Sequence, residues 1–320
     1  MASVSVCIVT YNSAKHIASC LEALSGQVHP IDRIVIVDNA STDDSSKIIK
    51  AYQAQSNIPI QLIENSFNNG FAGGQNQALN AYEADYAVVL NPDVSLHPLY
   101  ISDIVAVMEH EPLVGSATGQ LLFADDQSIV DSTGLAMSGT RHATDRGMGE
   151  SADRWLLSGE VFGVSGAAAV YLRRMINDIS LEGQFFDETF FAYKEDVDVA
   201  WRARRLGWRS YYVHTAKALH GRGWKKNARS SIPLFVRQHS YMNRFYTLIK
   251  NEPIGWHWFA LMPQIAVLEA AKFAYIIIRE PAMLECLPKL LRTLPEMWKK
   301  RQQINQMIRW PQSKKTKLDF

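Results

Sequence analysis

Cysteine is scarce: Cys7, Cys20 and Cys286 are the only three in 320 residues, and none belongs to a C-x-x-C pair. This excludes a disulfide scaffold and a zinc knuckle and makes a reducing compartment, the cytoplasm, the default location. No excess of positive charge exists either, since Lys+Arg 33 against Asp+Glu 32 leaves a net charge of +1. The chain therefore lacks the field of a nonspecific nucleic-acid binder, and no nucleic-acid partner is expected. Gly70-Phe71-Ala72-Gly73-Gly74 is neither a G-x-G-x-x-G fingerprint nor a Walker A loop, so no standard phosphate cradle is indicated. MASVSVCIVTYN has no basic n-region, and its apolar run ends too early for a signal peptide. The most apolar segment, Ile254 to Arg279, has a charge-free stretch of about sixteen residues containing Pro263, short of the roughly 20 a membrane span needs. Internal repeats and low-complexity tracts are absent.

With 47% hydrophobic residues, the chain can bury a sizeable core. Ser3 to Thr10 is a β-branched run, followed by Ile17, Cys20, Leu21 and Leu24 at helical spacing. The alternation recurs. Arg33 to Val37 reads as a strand, Ser41 to Asp44 as a capping box, and Ile48, Ile49 and Tyr52 as one helical face. Ile58 to Ile63 is a third strand, Asn69 to Gly74 a glycine-rich turn, Ala78 to Tyr82 a helix, and Tyr86 to Leu90 a fourth strand ending at Asn91-Pro92-Asp93. Such a pattern predicts an open, mostly parallel α/β sheet flanked by helices, with ligands at the carboxyl ends of its strands. From Leu113 to Arg174 short runs broken by Gly, Ser and Asp predict antiparallel additions, then a helix within Phe190 to Leu206 and a strand from Trp208 to His214. We expect a catalytic domain over 1–230, divided into a nucleotide-binding half (1–112) and an acceptor-side half (113–230), and a helical, partly basic region over 231–320.

The polar residues at the strand tips each permit two readings. Asp38 is either a helix N-terminus carboxylate or, beside Thr10-Tyr11-Asn12, part of a nucleoside pocket. Asp93 either caps its own turn or anchors Mg²⁺ or Mn²⁺ on a diphosphate. Glu195, Asp196 and Asp198 crowd one helical turn, where like charges raise one another's pKa, as suits a general base; Asp198 and Arg202, four apart, can simply pair on the surface. His220-Gly221-Arg222-Gly223-Trp224-Lys225-Lys226 reads as a solvated basic loop, or as a pyrophosphate clamp whose imidazole ligates a metal.

Taken in order, Thr10-Tyr11-Asn12, Val37 to Asp43, Asn69 to Asn76, Asn91-Pro92-Asp93 and Phe190 to Asp198 with Trp201-Arg202 resemble the family-2 inverting glycosyltransferases, especially the rhamnosyltransferase branch. The resemblance covers roughly the first 225 residues and implies a GT-A fold, a nucleotide-sugar donor and a divalent cation. By position it makes Thr10, Tyr11, Asn12, Asp38, Asn69, Gly70 and Asn76 donor-binding, and Asp93 the last aspartate of the family's Asp-x-Asp motif. Asp196 matches the catalytic base. Arg222 is placed on the donor's diphosphate, His220 beside Asp93 on the metal, and Gly166, Ala167 and Glu195 under the acceptor. Asn91 departs from the family's more common aspartate and removes one carboxylate from the metal.

The implied function is inverting transfer of a sugar, L-rhamnose from dTDP-rhamnose, to a saccharide or lipid-linked saccharide acceptor in cell-surface polysaccharide synthesis. Two other readings remain open: a sugar-phosphate nucleotidyltransferase, and a non-catalytic nucleotide-sugar-binding scaffold. Phe273, Tyr275, Ile276, Ile277 and Ile278 beside Lys272 and Arg279, then Trp298, Met307, Ile308 and Trp310 among Lys299, Lys300, Arg301 and Arg309, suit peripheral contact with an anionic inner membrane face, or packing on the catalytic domain or in a homodimer.

Overall fold

A computed structural model describes residues 1–221 and 232–308. The strands are β1 (Val4–Thr10), β2 (Arg33–Asp38), β3 (Ile60–Glu64), β4 (Tyr86–Leu90), β5 (Val94–Leu96), β6 (Val114–Phe123), β7 (Asp126–Ser132), β8 (Leu135–Met137), β9 (Ala143–Asp145), β10 (Gly159–Val161), β11 (Ala168–Leu172) and β12 (Arg209–His220). The helices are α1 (Ile17–Ser25), α2 (Ser45–Gln53), α3 (Gly70–Ala81), α4 (Tyr100–His110), α5 (Arg173–Ile179), α6 (Glu195–Arg205), α7 (Leu234–Asn251), α8 (Trp256–Arg279) and α9 (Leu287–Met307).

One sheet runs β10-β12-β6-β11-β4-β1-β2-β3, with β5 on β12 and β7 on β6. β3, β2, β1 and β4 are mutually parallel, as expected of strands joined by crossover helices. Their β-branched side chains are buried on both faces, under α1, α2 and α4 on one side and α3 and α5 on the other. β11 then enters antiparallel to β4, pairing Ala168 with Leu90. That reversal brings Gly166 and Ala167, just before β11, to the rim where β4 ends, and Asn91 donates its N–H to the Ala167 carbonyl at 2.8 Å. This mixed sheet is the expected GT-A-type α/β architecture.

Several local expectations are corrected. The glycines at 70–74 do not form a turn. They open α3, because Gly70 (φ 80) approaches Phe191 so closely that a Cβ would stand 2.5 Å from its carbonyl oxygen. Gly74 lies against β1, where a Cβ would meet Val9 at 2.8 Å. α2 starts at Ser45, and Asp43, not Ser41, accepts the Ser45 N–H at 3.0 Å. α6 starts only at Glu195, because Phe191, Tyr193 and Lys194 take positive φ and cannot be helical. β12 extends past His214 to His220 through an irregularity between Val213 and Lys217, so His220 is strand-borne and not in a loop.

Residues 232–308 share a core with the sheet-bearing part of the chain. Phe190 packs with Met242, Tyr246, Cys286, Leu290 and Met297. Lys250 is fully buried between Asp187 (2.6 Å) and Asp198 (2.8 Å), and Lys300 reaches Asp187 at 2.7 Å. Burial opposes a charge on Asp187, but Lys250 and Lys300 hold its carboxyl well below the ordinary range. Asp198 and Arg202 do pair, at 3.2 Å, but in the interior and not on the surface. α9 therefore presents Met297, Lys300, Arg301 and Ile304 to the body and leaves Trp298 and Lys299 outside. α8 is the more exposed helix, with only Ile265, Glu269 and Ile276 buried. Pro263 does not end it, and by length and composition it could cross a membrane.

Candidate active site

Thr10 and Asp38 are direct partners at the tips of β1 and β2. Thr10 Oγ1 donates to Asp38 Oδ1 at 2.9 Å, and Ser41 donates to the same carboxylate through Oγ (2.5 Å) and N–H (3.1 Å). Asp38 is buried, so these donors replace the water its charge would otherwise need. Asn12, at positive φ, accepts the Thr42 N–H at 2.8 Å and fixes this rim, while Tyr11 stands half exposed above it. The result is a polar floor beside an aromatic face.

Asn69 precedes α3, packs its side chain against Gly73, and leaves its Oδ1 buried with no hydrogen-bond partner among the described residues. Gly70 is set beside it by the approach of Phe191. Asn76, expected on the donor, instead has its side chain fully used by the loop before α6: it donates to Phe186 O (2.7 Å) and Glu188 Oε1 (2.9 Å) and accepts the Phe186 N–H (2.9 Å).

Asp93 follows β4, and the pairing of β5 with β12 sets His220 opposite Val94. His220 Nε2 lies 3.4 Å from Asp93 Oδ1, while Nδ1 lies 2.7 Å from Asp131 Oδ2. Burial works against a charged imidazole, but the hydrogen bonds to Asp131 and Asp93 outweigh it and lift His220 to about 9. No cluster of three or more His, Cys, Asp or Glu suited to a metal occurs among the described residues. Even so, the donor set fits a cation that takes the place of the His220 Nε2 proton and keeps most of its ligands for phosphate and water. Asp93 is a hard carboxylate, and a carboxylate on the far nitrogen of a histidine is the usual support for a metal-binding imidazole. Asp131 carries no motif and pairs with a residue 89 positions away, so the sequence reading missed it. Arg222, Lys225 and Lys226 lie outside the described residues.

Asp196 stands in the first turn of α6. Its Oδ2 accepts the Gly166 N–H at 3.2 Å, and its Oδ1 accepts the Val197 N–H at 2.7 Å. Burial raises its pKa, offset in part by the Gly166 N–H, with Asp145 raising it further. Glu195 is buried, its Oε2 is without a partner, and burial with the Asp196 charge lifts it to about 8. Burial and the neighbouring Asp196 charge thus favour the protonated form of Glu195. Asp198 is excluded as a substitute base, because Lys250, Arg202 and Asn251 (2.7 Å) enclose it. Gly166 faces Phe71 and Asp196 with room for no more than a Cβ. Through the Asn91–Ala167 and Gly166–Asp196 hydrogen bonds, the Asp93 rim and Asp196 share one backbone frame.

Residues 5–180 match the family described as Glycosyl transferase family 2. The N-acetylglucosaminyl-diphospho-decaprenol L-rhamnosyltransferase of Mycobacterium tuberculosis (strain ATCC 25618 / H37Rv) is 28% identical over 239 residues, 67% of this chain and 75% of its own. Among solved structures, S. aureus TarS 1–349 in complex with UDP-GlcNAc superposes with a TM-score of 0.59 at 15% identity, covering 96% of this chain and 84% of that one. The mannosyltransferase PcManGT from Pyrobaculum calidifontis, in complex with GDP-Man and Mn2+, gives 0.57 at 16% identity over 95% and 85%.

Proposed function

Because the chain belongs to glycosyl transferase family 2, we propose that it transfers L-rhamnose, with inversion, from dTDP-rhamnose to a lipid-linked saccharide in cell-surface polysaccharide synthesis. The Gly166–Asp196 hydrogen bond carries the catalytic part of this reading, since it holds a carboxylate on the acceptor side of the rim formed by Thr10, Asp38 and Asp93. Asp196 takes the proton of the acceptor hydroxyl as its oxygen bonds to the anomeric carbon, and the bond from that carbon to the diphosphate breaks. Protonated Glu195 limits the negative charge beside the base. Thr10, Tyr11, Asn12, Asp38, Asn69 and Gly70 frame the nucleoside and donor sugar, while Gly166 and Ala167 underlie the acceptor.

Asp93 and His220 would hold a Mg²⁺ or Mn²⁺ ion, which when bound supplies positive charge to the departing diphosphate. Support for the sugar and the lipid comes from the Asn91-Pro92-Asp93 variant and from the mycobacterial L-rhamnosyltransferase, whose name specifies a diphospho-decaprenol acceptor. Transfer would occur at the inner membrane face. There α8 offers Phe259, Val267, Phe273, Ile277 and Ile278 as an exposed apolar surface, and the Glu269–Arg244 pair and buried Ile265 and Ile276 hold the helix along the body. That arrangement favours an in-plane helix over a span.

Thermal shift against dTDP, UDP and GDP with and without Mn²⁺, followed by assay of dTDP-rhamnose with an N-acetylglucosaminyl diphospholipid, tests the reading. Stabilisation by dTDP and a rhamnosylated lipid are expected. Preference for UDP or GDP would reassign the donor, and donor binding without transfer would favour the scaffold alternative.

A further inference from the structure

His16 lies on the connection from the tip of β1 and immediately precedes α1. Its side chain is exposed and caps no helix N–H, and among the described residues its ring makes no hydrogen bond or ion pair. Two contacts fix where that ring stands. The Cys20 N–H donates to the His16 carbonyl at 3.2 Å, so Cys20 lies one helical turn further along α1, and its Sγ is 3.7 Å from the Asn91 carbonyl oxygen. This face of α1 therefore runs along the Asn91–Asp93 rim. The Gly221 N–H donates to Asp93 O at 2.8 Å, and a Cβ on Gly221 would meet Asp93 Cβ at 3.7 Å and His16 Cε1 at 3.8 Å. His16 and Asp93 thus border one space over Gly221, and a glycine adds no side chain to fill it.

The two borders of that space differ in chemistry. Asp93 and Asp131 both face the His220 imidazole, at 3.4 and 2.7 Å, and offer carboxylate to a cation. On the α1 side, Asp43 is taken up by the N–H groups of Ala14 and Ser45, both at 3.0 Å, and His16 with the exposed Lys15 before it presents donors instead. A diphosphate between the two borders has oxygens that a cation does not cover, and an imidazole N–H donates to such an oxygen in either protonation state. We propose that His16 binds the diphosphate of the nucleotide-sugar donor directly, through a hydrogen bond from its ring N–H to a phosphate oxygen. The bond persists as the link to the anomeric carbon breaks and negative charge grows on the departing diphosphate. This assignment rests on the nucleotide-sugar reading above and deepens it, adding a protein ligand to the leaving group on the side away from His220. Among the described residues His16 forms no metal-suited trio with Asp93 and His220, so phosphate and not the cation is its partner.

Calorimetry on the full chain with Mn²⁺ present, using dTDP, UDP and GDP and the matching nucleosides, tests the assignment without turnover. His16→Ala, at an exposed position whose side chain caps nothing, should weaken diphosphate binding about tenfold and leave nucleoside affinity and Tm unchanged. Gly221→Ala, which sets a methyl group in the shared space, should also weaken the diphosphate and spare the nucleoside. Unchanged diphosphate affinity in His16→Ala, or an equal loss for the nucleoside, would overturn the assignment. So would a parallel fall in the affinity of the nucleotide-free protein for Mn²⁺, which would make His16 a metal ligand. A wild-type chain that binds none of the three diphosphates would overturn the nucleotide-sugar reading and His16 with it, whereas wild-type binding that His16→Ala leaves intact would count against His16 alone.

Discussion

Asn243 Nδ2, on α7, lies 2.7 Å from the carbonyl oxygen of Tyr193. The same nitrogen also lies 3.0 Å from Phe190 O and 2.9 Å from Ala192 O, so its two hydrogens are shared among three carbonyls of the loop before Asp196. That loop holds Phe191, Tyr193 and Lys194 at positive φ, each costing of the order of 1–3 kcal/mol that surrounding contacts must offset. A helix beyond the matched family region, residues 5–180, thus positions the loop before Asp196.

Asn243→Ala should release this loop. Because Asn243 is fully buried and acts through this loop, the expected signature is a fall in kcat of about 10-fold or more with donor affinity retained. Loss of nucleotide binding in step with kcat would point instead to general unfolding.

Lys250→Met should be severely destabilising. It leaves Asp187 and Asp198 buried without their shared cation, and breaking a buried pair in this way typically costs about 3–5 kcal/mol. Urea unfolding of the variant measures it. Truncation after Asn251 should likewise destabilise the catalytic half, since it removes Lys300, Leu290 and Met297 from the shared core.

Glu195 makes stability depend on pH. Its carboxyl rises from 4.5 to about 8 on folding, so the folded state binds the extra proton. Its contribution is complete below pH 4.5, declines as pH rises and is lost above about 8. Glu195→Gln should therefore melt higher than wild type at pH 8 and differ little near pH 4.5, as differential scanning fluorimetry across pH would show. A constant difference at all pH values would mean that Glu195 is ionised in the folded protein.

Asp93→Ala should abolish any effect of Mn²⁺ on nucleoside diphosphate binding, and His220→Ala should reduce it. Melting-temperature shifts with and without Mn²⁺ report both. An undiminished response in Asp93→Ala would place the cation elsewhere.

Much of this was legible in the sequence because it is local. The alternation of β-branched runs with helical spacings gave the parallel sheet, and the strand tips gave Thr10, Asp38 and Asp93. What escaped notice depends on long-range pairing. Asp131 reaches His220, and Asn243 reaches Phe190, 53 residues away, through register and packing that no window displays. The left-handed turns at Phe191, Tyr193 and Lys194 were equally hidden, because none is glycine and their cost is met by contacts from α3 and α7. Of the two stretches that the sequence marks for membrane contact, residues 272–279, Ile276 apart, are exposed on α8, whereas the second packs inward along α9, and its Arg309 and Trp310 lie outside the described residues.

The most direct test of the account is the turnover of Asp196→Asn, a change that removes basicity at nearly constant size. With the donor and acceptor that support wild-type transfer, kcat should fall on the order of 10²- to 10⁴-fold while calorimetry finds donor affinity nearly unchanged. Retention of more than about a tenth of wild-type turnover would contradict the assignment of Asp196 as the base.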